Sequence, residues 1–235
     1  MERHFEQELQ KLNKRINKMG NLVASQVHQA MFALTECDTE LAKEIIEHDN
    51  EVDELDVKID KLCQRIFALT QPVATDLRLI MASLKMNNDL ERMADHAVGI
   101  VKRIEGLVEF KEFISEFKID EVAAMTDLIV KDVVNILTSR NTVFVKDIFD
   151  LASAIKEKTQ SISGTIIEAM TKKSDVIVVA TNLMLVLTQM ERIAGYSTSI
   201  AEAMVFLVEG RLVKHKNLFK EEQGMPDPEE NNKED

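Results

Sequence analysis

The chain has 235 residues, enough for one large domain or two modest ones. Apolar residues make up 45% of it, with seven Gly, three Pro, one Tyr and no Trp, a composition that favours an all-α protein over one with β-sheets. The net charge of −12 argues against nucleic-acid binding, because basic patches supply that affinity.

The chain shows no sign of export or of membrane insertion. Cys37 and Cys63 lie in no metal-binding or redox spacing. Residues 1–4 do not resemble a secretory signal, and the most apolar run, residues 176–186, is too short to cross a bilayer. We therefore expect a reduced, cytoplasmic protein that is not integral to a membrane.

Three long helices are predicted in the first half. Apolar residues at spacings of three and four over residues 2–35 predict the first helix. A second helix is predicted from an N-cap at Asp38 to about Thr70. Pro72 then forces a turn and suits the first position of a third helix, which weakens near Gly106.

The charged, aperiodic stretch 105–119 is expected to separate this half from three further helices. These are predicted over residues 120–139, 143–170 and 175–209, with Thr142 and Ser174 as N-caps of the last two and Gly210 as the end of the last.

The two halves look like copies of one unit. Leu-Glu-Arg-Met-Ala at residues 90–94 returns as Met-Glu-Arg-Ile-Ala at residues 190–194. Short connections imply antiparallel neighbours, so each half is predicted to be an up-down-up three-helix bundle. We expect a first bundle over residues 1–108, a second over residues 109–212, and a disordered acidic tail over residues 213–235.

Two acidic pairs fall opposite each other in the predicted hairpin of helices two and three. Asp49 and Asp53 are four residues apart, as are Glu91 and Asp95, so each pair shares a helix face. With Pro72 as the centre of the turn, Asp53 and Glu91 are each 19 residues away, and Asp49 and Asp95 are each 23 away. Four carboxylates should therefore gather at one level of the hairpin.

Four carboxylates in one patch repel each other, and a multivalent cation would relieve that repulsion. Ligands that are all oxygen favour a hard cation such as Mg, Ca, Mn or Fe. The alternative interpretation is a solvated acidic face balanced by Arg92 and Lys58. Asp56 continues the first acidic row toward the turn, and Asn88 continues the second.

Two histidines flank the patch, and the second half carries a reduced version of it. His48 and His96 are each 24 residues from Pro72, so they either complete or orient the ligand set or are ordinary surface residues. In the second half Glu191 is kept, but Gly195 stands where the first half has an acid.

The opposite helix of the second half offers no acidic pair at the matching level. Asp150 and Glu157 are its nearest acids, and with Glu191 they form a possible weaker site. Lys156 is placed to neutralise Glu191 instead. We expect the first half to carry the main metal site.

These motifs together resemble the PhoU family of phosphate-signalling regulators, over residues 1 to about 212. The matching stretches are Asp49-x-x-x-Asp53, Gln71-Pro72 with Asp76-Leu77-Arg78, Leu90-Glu91-Arg92-Met93-Ala94-Asp95-His96, and Met190-Glu191-Arg192-Ile193-Ala194. The resemblance implies two tandem three-helix bundles and multinuclear metal clusters, iron among them, held here by Asp49, Asp53, Glu91 and Asp95.

The resemblance also implies a function. It suggests a cytoplasmic negative regulator, without enzymatic turnover, that connects the ATPase of a phosphate ABC transporter to a phosphate sensor histidine kinase. A homodimer is one option for its oligomeric state. Two other functions stay open on the residues alone. One is a carboxylate-ligated metal enzyme, although no Glu-x-x-His pattern repeats in the chain; the other is a metal-free helical scaffold.

Overall fold

Helices account for nearly all of the chain, as the composition predicts. The computed structural model describes the backbone of residues 2–213 and the side chains of residues 4–213, and the described backbone contains no β-strand. The α-helices are α1 Glu2–Glu36, α2 Thr39–His48, α3 Asn50–Leu69, α4 Ala74–Val101, α5 Lys111–Ser115, α6 Ile119–Ser139, α7 Val145–Lys172 and α8 Ile177–Glu209.

The second predicted helix is wrong in one respect, because the structure divides it at Asp49. Asp49 itself keeps helical backbone angles, with φ −57 and ψ −30. Two side-chain hydrogen bonds lie beside the interruption: His48 Nδ1 bonds to the carbonyl oxygen of Glu44 at 2.8 Å, and Asn50 Nδ2 donates to that of Glu47 at 3.2 Å. Side-chain bonds of this kind compete with the hydrogen bonds of the helix backbone.

The predicted starts of the helices are partly right. Asp38 is the N-cap of α2, since its side chain accepts hydrogen bonds from the backbone N–H groups of Glu40 and Leu41. Pro72 is not the first residue of α4. The chain is still extended at Val73, and α4 begins at Ala74.

In the second half, each later helix is preceded by one 3₁₀ turn, so the predicted N-caps are wrong. Asn141, not Thr142, accepts the capping hydrogen bond, from Val143 N at 3.0 Å. Ser174 is the first residue of the turn Ser174–Val176 rather than a cap. The end of α8 is as predicted: Gly210 takes the left-handed conformation, φ 72, and its N–H bonds to Phe206 O.

The predicted pair of three-helix bundles is confirmed. The long helices α1, α3 and α4 pack together in the first half, and α6, α7 and α8 pack in the second. α4 and α8 lie against each other at the centre and contribute the largest sets of buried side chains. The apolar stretch 174–209 is long enough to cross a membrane, but α8 packs against α4, α6 and α7 here, as a core helix does.

The two bundles meet through an antiparallel crossing of α4 and α8. Ser199 Oγ donates to Asp89 Oδ2 at 2.6 Å, His96 bonds to Gln189, and Gly210 lies against Arg78. Across these three contacts, the residue numbers rise along α4 as they fall from Gly210, the C-cap of α8, along α8 itself. The two helices are therefore antiparallel. The two copies of the repeated unit are thus packed about an internal two-fold relation.

The segment between the halves is short and irregular, as its charge pattern predicts. It contains the 3₁₀ turns Ile104–Gly106 and Val108–Phe110 and the short helix α5. Phe113 and Phe117 pack edge to face there, with ring centroids 4.9 Å apart. The domain division at residues 108 and 109 stays a prediction. The expected acidic tail lies, apart from Val213, outside the described residues.

Candidate metal centre

The α3–α4 hairpin brings the four predicted carboxylates into one electrostatic neighbourhood. Partial burial, followed by the charges of Asp49 and Asp95, raises the pKa of Asp53 above its usual range. Burial also raises the pKa of Glu91, with further contributions from Asp95, Asp56 and Asp53. These mutual effects are those of carboxylates that face each other across the hairpin, in the register that the equal distances from Pro72 predict.

Lys58 and Arg92, the two basic residues of the alternative interpretation, each have another partner. Lys58 forms an ion pair with Glu54 on the exposed side of α3, at 2.7 Å. The guanidinium of Arg92 lies over the ring of Tyr196, 5.9 Å from its centroid. Arg92 lowers the pKa of Glu91, but it is the smallest of the causes acting on that group, so the net shift remains upward. The patch therefore keeps an excess of negative charge.

The chemistry of this donor set fits a hard cation. Its oxygens are all carboxylate, and the raised pKa values of Asp53 and Glu91 show that the folded chain disfavours their charges. A bound cation would reverse that effect. The side chains do not yet converge, however: among residues 4–213, no three His, Cys, Asp or Glu side chains are grouped as metal ligands.

One of the four carboxylates already has a hydrogen-bond partner outside the hairpin. Asp49 Oδ1 accepts from Gln26 Nε2 of α1 at 2.7 Å. Binding of a metal by all four residues would therefore require side-chain rotation, and the assignment of Asp49, Asp53, Glu91 and Asp95 as ligands stays a prediction.

The two flanking histidines face different surroundings. His48 is exposed at the end of α2, where its Nδ1 bonds to a backbone carbonyl. His96 is half-buried between α4 and α8, where its Nδ1 bonds to Gln189 Oε1 and its ring stacks on Tyr196. Burial lowers the pKa of His96. Each Nδ1 thus already has a partner, and a role for either residue at a metal stays a prediction.

The second-half site is a pair of open pockets on either side of Gly195. One, of about 520 Å³, is lined by Asp150, Ser153, Lys156, Glu191 and Gly195 among others. The other, of about 590 Å³, lies toward α4 and shares Glu191 and Gly195. Asp150 and Lys156, which were expected opposite Glu191, line the first pocket with it.

Two predicted details of this second site differ in the structure. Lys156 and Glu191 line the same pocket, but the described side chains include no ion pair between them; Thr159 Oγ1 instead donates to Glu191 Oε2, at 3.5 Å. Glu157 accepts a hydrogen bond from Ser153 at 3.4 Å and does not line the pocket. Of the predicted trio, the structure brings Asp150 and Glu191 to one pocket.

A polar cluster that the sequence pattern did not predict lies between α3 and α4, one turn from the predicted patch. Asn87, rather than the predicted Asn88, faces α3, and it bonds to Asp56 and Asp60. Asn88 is exposed. Asn87 is four residues from Glu91 and Asn88 is three residues from it, so each lies on the same helix face as Glu91. Only the packing of α4 on α3 decides which of the two asparagines is buried.

Fold and site together define a class of protein: a duplicated, all-helical chain of two packed three-helix bundles, with an acidic hairpin on the first. The sequence profile of the PhoU domain matches this chain twice, over residues 16–104 and 119–204. The chain belongs to the PhoU family.

Relatives and solved structures match this chain along almost its whole length. A phosphate-specific transport system accessory protein PhoU homolog from Aquifex aeolicus is 32% identical, over 90% of this chain and 96% of its own. The homolog from Pseudomonas aeruginosa is 27% identical over 97% and 93%. The crystal structure of PhoU from Pseudomonas aeruginosa superposes with a TM-score of 0.81 at 26% identity, covering 88% of this chain and 100% of that one.

A second crystal structure gives the same result. The phosphate transport system regulatory protein PhoU from Streptococcus pneumoniae has a TM-score of 0.79 and 27% identity, over 89% of this chain and 99% of its own. The likeness thus spans both bundles and their packing.

Proposed function

We propose that this protein is an accessory and negative regulator of phosphate uptake. The observation that carries the proposal is its likeness, over about nine-tenths of its length, to proteins named as accessory to phosphate-specific transport. A structural neighbour is named a regulatory protein of the phosphate transport system. The protein acts in the cytoplasm as an adaptor between the ATPase of a phosphate ABC transporter and a phosphate sensor histidine kinase.

The adaptor acts by binding rather than by turnover, and two features support this. The family name describes transport accessory proteins, and the fold is a pair of helical bundles that presents long faces to partners. A homodimer would double those faces.

A metal at the acidic hairpin is part of the proposal. Asp49, Asp53, Glu91 and Asp95 would hold it, and the chemistry it supplies is charge neutralisation. With the repulsion removed, α3 and α4 would present a fixed surface to a partner. Iron, manganese, magnesium or calcium each suit oxygen ligands.

Deletion of the gene tests the regulatory role. In phosphate-rich medium, the deletion strain should express phosphate-starvation genes that the parent strain represses. A plasmid copy of the wild-type gene should restore repression, and an empty plasmid serves as the control. If the deletion strain keeps normal repression, the proposed function is wrong for this chain.

A second strain separates the metal from the regulatory role. The deletion strain is complemented with the Glu91→Ala/Asp95→Ala variant and compared with Glu51→Ala/Glu54→Ala, which removes two exposed acids from α3. Loss of repression in the first variant alone would show that the acidic hairpin is needed. Equal repression in both, with equal protein levels, would remove the metal from the regulatory mechanism.

A further inference from the structure

A basic face lies along the outer seam between α1 and α3, in a chain whose net charge is −12. Two contacts define the seam: Arg65 of α3 pairs with Glu8 of α1, and Arg15 of α1 donates to the backbone carbonyl of Lys58. Residues three or four positions apart share a helix face. Three exposed lysines therefore continue this face at such spacings, on α1 and on α3: Lys11, Lys18 and Lys61.

The positive charge on this face exceeds the negative charge beside it. The neighbouring acids Glu8 and Glu54 are paired with Arg65 and Lys58. Among the described side chains, no ion pair is formed by the remaining cations of the face, Lys11, Arg15, Lys18 and Lys61. The face is therefore suited to an anionic partner.

An apolar pocket lies at one end of the same seam. Phe5 of α1 and Ile66 and Leu69 of α3 line it, and Glu8 and Arg65 connect it to the basic face. Its volume is about 210 Å³, less than the about 300–1,000 Å³ of pockets that enclose small molecules. Leu69 is 70% exposed. A pocket of this size and lining suits an apolar side chain of a peptide.

The chain leaves the described fold at this end of the first bundle. The last described residue, Val213, comes three residues after Gly210, which lies against Arg78 near the start of α4. The pocket is formed where α3 ends, before the turn into α4. The 22 residues that follow Val213 span about 70 Å when extended. That is longer than α1, whose 35 residues measure about 50 Å, so the whole seam is within their reach.

The order of residues in this C-terminal segment, residues 214–235, matches the order of pocket and face. Leu218 and Phe219 come first, and residues 221–235 then carry seven acids and one Lys. Aromatic side chains are effective anchors in pockets, and opposite charges fix orientation. Because the segment belongs to the same chain, its effective concentration at the face is in the millimolar range, and weak contacts are sufficient to hold it.

We propose that the C-terminal segment docks on the α1–α3 seam of its own chain. Leu218 and Phe219 occupy the apolar pocket at Phe5 and Leu69, and the acids that follow lie along the basic face. The docked segment closes this face to other anionic partners, so a partner that binds here must first displace it. The proposal depends neither on a metal at the acidic hairpin nor on the role in phosphate regulation.

Tryptophan fluorescence tests the docking directly. The chain has no Trp, so Phe219→Trp in the full-length protein introduces a single reporter. At low salt its emission should lie at shorter wavelength, and be quenched less by acrylamide, than in the urea-denatured protein. Added salt should weaken both effects, because the Debye length is only about 10 Å at 0.1 M and falls further above it.

Matched variants show whether the pocket and the basic face hold the reporter. Lys11→Glu/Lys61→Glu and, separately, Leu69→Ser should shift the emission toward that of the denatured protein. Lys172→Glu/Lys173→Glu makes the same charge change at the α7–α8 turn, and Val178→Ser alters a side chain that is 75% exposed. Both controls should leave the emission unchanged. Circular dichroism checks that every variant keeps its helices.

Cross-linking of the wild-type chain gives an independent measurement. A carbodiimide couples amines to carboxylates that are already in contact. In monomeric protein, mass spectrometry should find links from Lys11, Lys18 or Lys61 to acids of residues 221–235, and salt should reduce them. Links to Lys172 or Lys173 should be rare.

Four results would overturn the proposal. The first is a reporter as exposed in the native protein as in urea, and the second is equal release of the reporter by the control variants. The third is release on dilution, with cross-links confined to dimers, which would make a second copy the occupant. The fourth is an exposed reporter together with binding of phosphatidylglycerol vesicles that Lys11→Glu/Lys61→Glu abolishes, which would assign the face to an anionic membrane.

Discussion

His96 of α4 stacks on Tyr196 of α8, with ring centroids 5.5 Å apart and ring planes inclined by 19°. The two residues occupy the same position in the two copies of the repeated unit, one hundred residues apart. Equivalent residues can touch each other only near the axis that relates the copies. The stacked pair therefore marks where the internal two-fold relation of the molecule passes between α4 and α8.

The stacked pair should contribute measurably to the stability of the packing between the bundles. We expect Tyr196→Ala and His96→Ala each to lower the free energy of unfolding, because both rings are half-buried at the crossing. In a double-mutant cycle, the coupling energy should be about 0.5–1.5 kcal/mol, as for other aromatic pairs. Urea denaturation of the four proteins measures it.

The conservative substitution Tyr196→Phe is the control. It keeps the ring for stacking against His96 and for the Arg92 guanidinium, so the coupling with His96 should persist. A coupling energy indistinguishable from zero in the Tyr196→Ala cycle would show that the contact is incidental.

The register of the first hairpin could be predicted because it depends on counting. Helices that are joined by a short turn must pair residues at equal distances from that turn, so the neighbourhood of Asp53 and Glu91 followed from the position of Pro72. Neither the conformation of Pro72 nor the start of α4 affects this pairing, and the prediction tolerated errors in both. The mutual effects of these carboxylates agree with it.

The details that could not be predicted depend on side chains that compete for the same groups. The division at Asp49 lies between His48 and Asn50, whose side chains both bond to backbone carbonyls. The choice of Asn87 over Asn88 depends on how α4 is rotated against α3. A small rotation of α4 about its own axis decides whether position 87 or position 88 faces α3. The apolar pattern of the sequence is the same in both cases.

Removal of two acids from the hairpin should remove the metal. We expect Glu91→Ala/Asp95→Ala to lower the content of tightly bound metal in natively purified protein, because two of the four proposed charged ligands are lost. The metal-free variant should be as stable as the metal-free wild type or slightly more stable, since a repulsive pair is gone. Mass spectrometry of the metals and thermal denaturation with chelator make the two measurements. An unchanged content of every metal in this variant would contradict the assignment.

The stability of the metal-free protein should depend on pH through Glu91. Its pKa is raised in the folded state, chiefly by burial and then by Asp95, so the folded chain binds that proton more tightly than the unfolded chain does. The free energy of unfolding therefore falls as the pH rises from the unfolded-state pKa of Glu91 through its higher folded-state pKa. Glu91→Gln removes the penalty, so it should stabilise the protein at about pH 7 and lose that advantage by about pH 4.

Urea denaturation with chelator at several pH values measures this difference. Glu54→Gln is the matched control: Glu54 is exposed and its hydrogen bond with Lys58 lowers its pKa, so its removal should bring no gain at neutral pH. An equal effect of Glu91→Gln at both pH values would mean that the carboxyl is not destabilised in the folded chain.

The second half should hold less metal than the first, and the position of Gly195 shows why. Glu191 has no acid four residues later on α8, and of the predicted trio only Asp150 joins it at a pocket.

A Cβ atom built at Gly195 would meet nothing within 4 Å, so a side chain can be added there without displacing its neighbours. Gly195→Asp should therefore raise the metal bound per chain, since it restores a pair of acids on one helix face. Gly195→Asn, of the same size but without charge, should not. Glu191→Ala in the wild-type chain should leave most of the bound metal in place. A large loss of metal in Glu191→Ala, or equal metal in the Asp and Asn variants, would show that the second half binds metal by another arrangement.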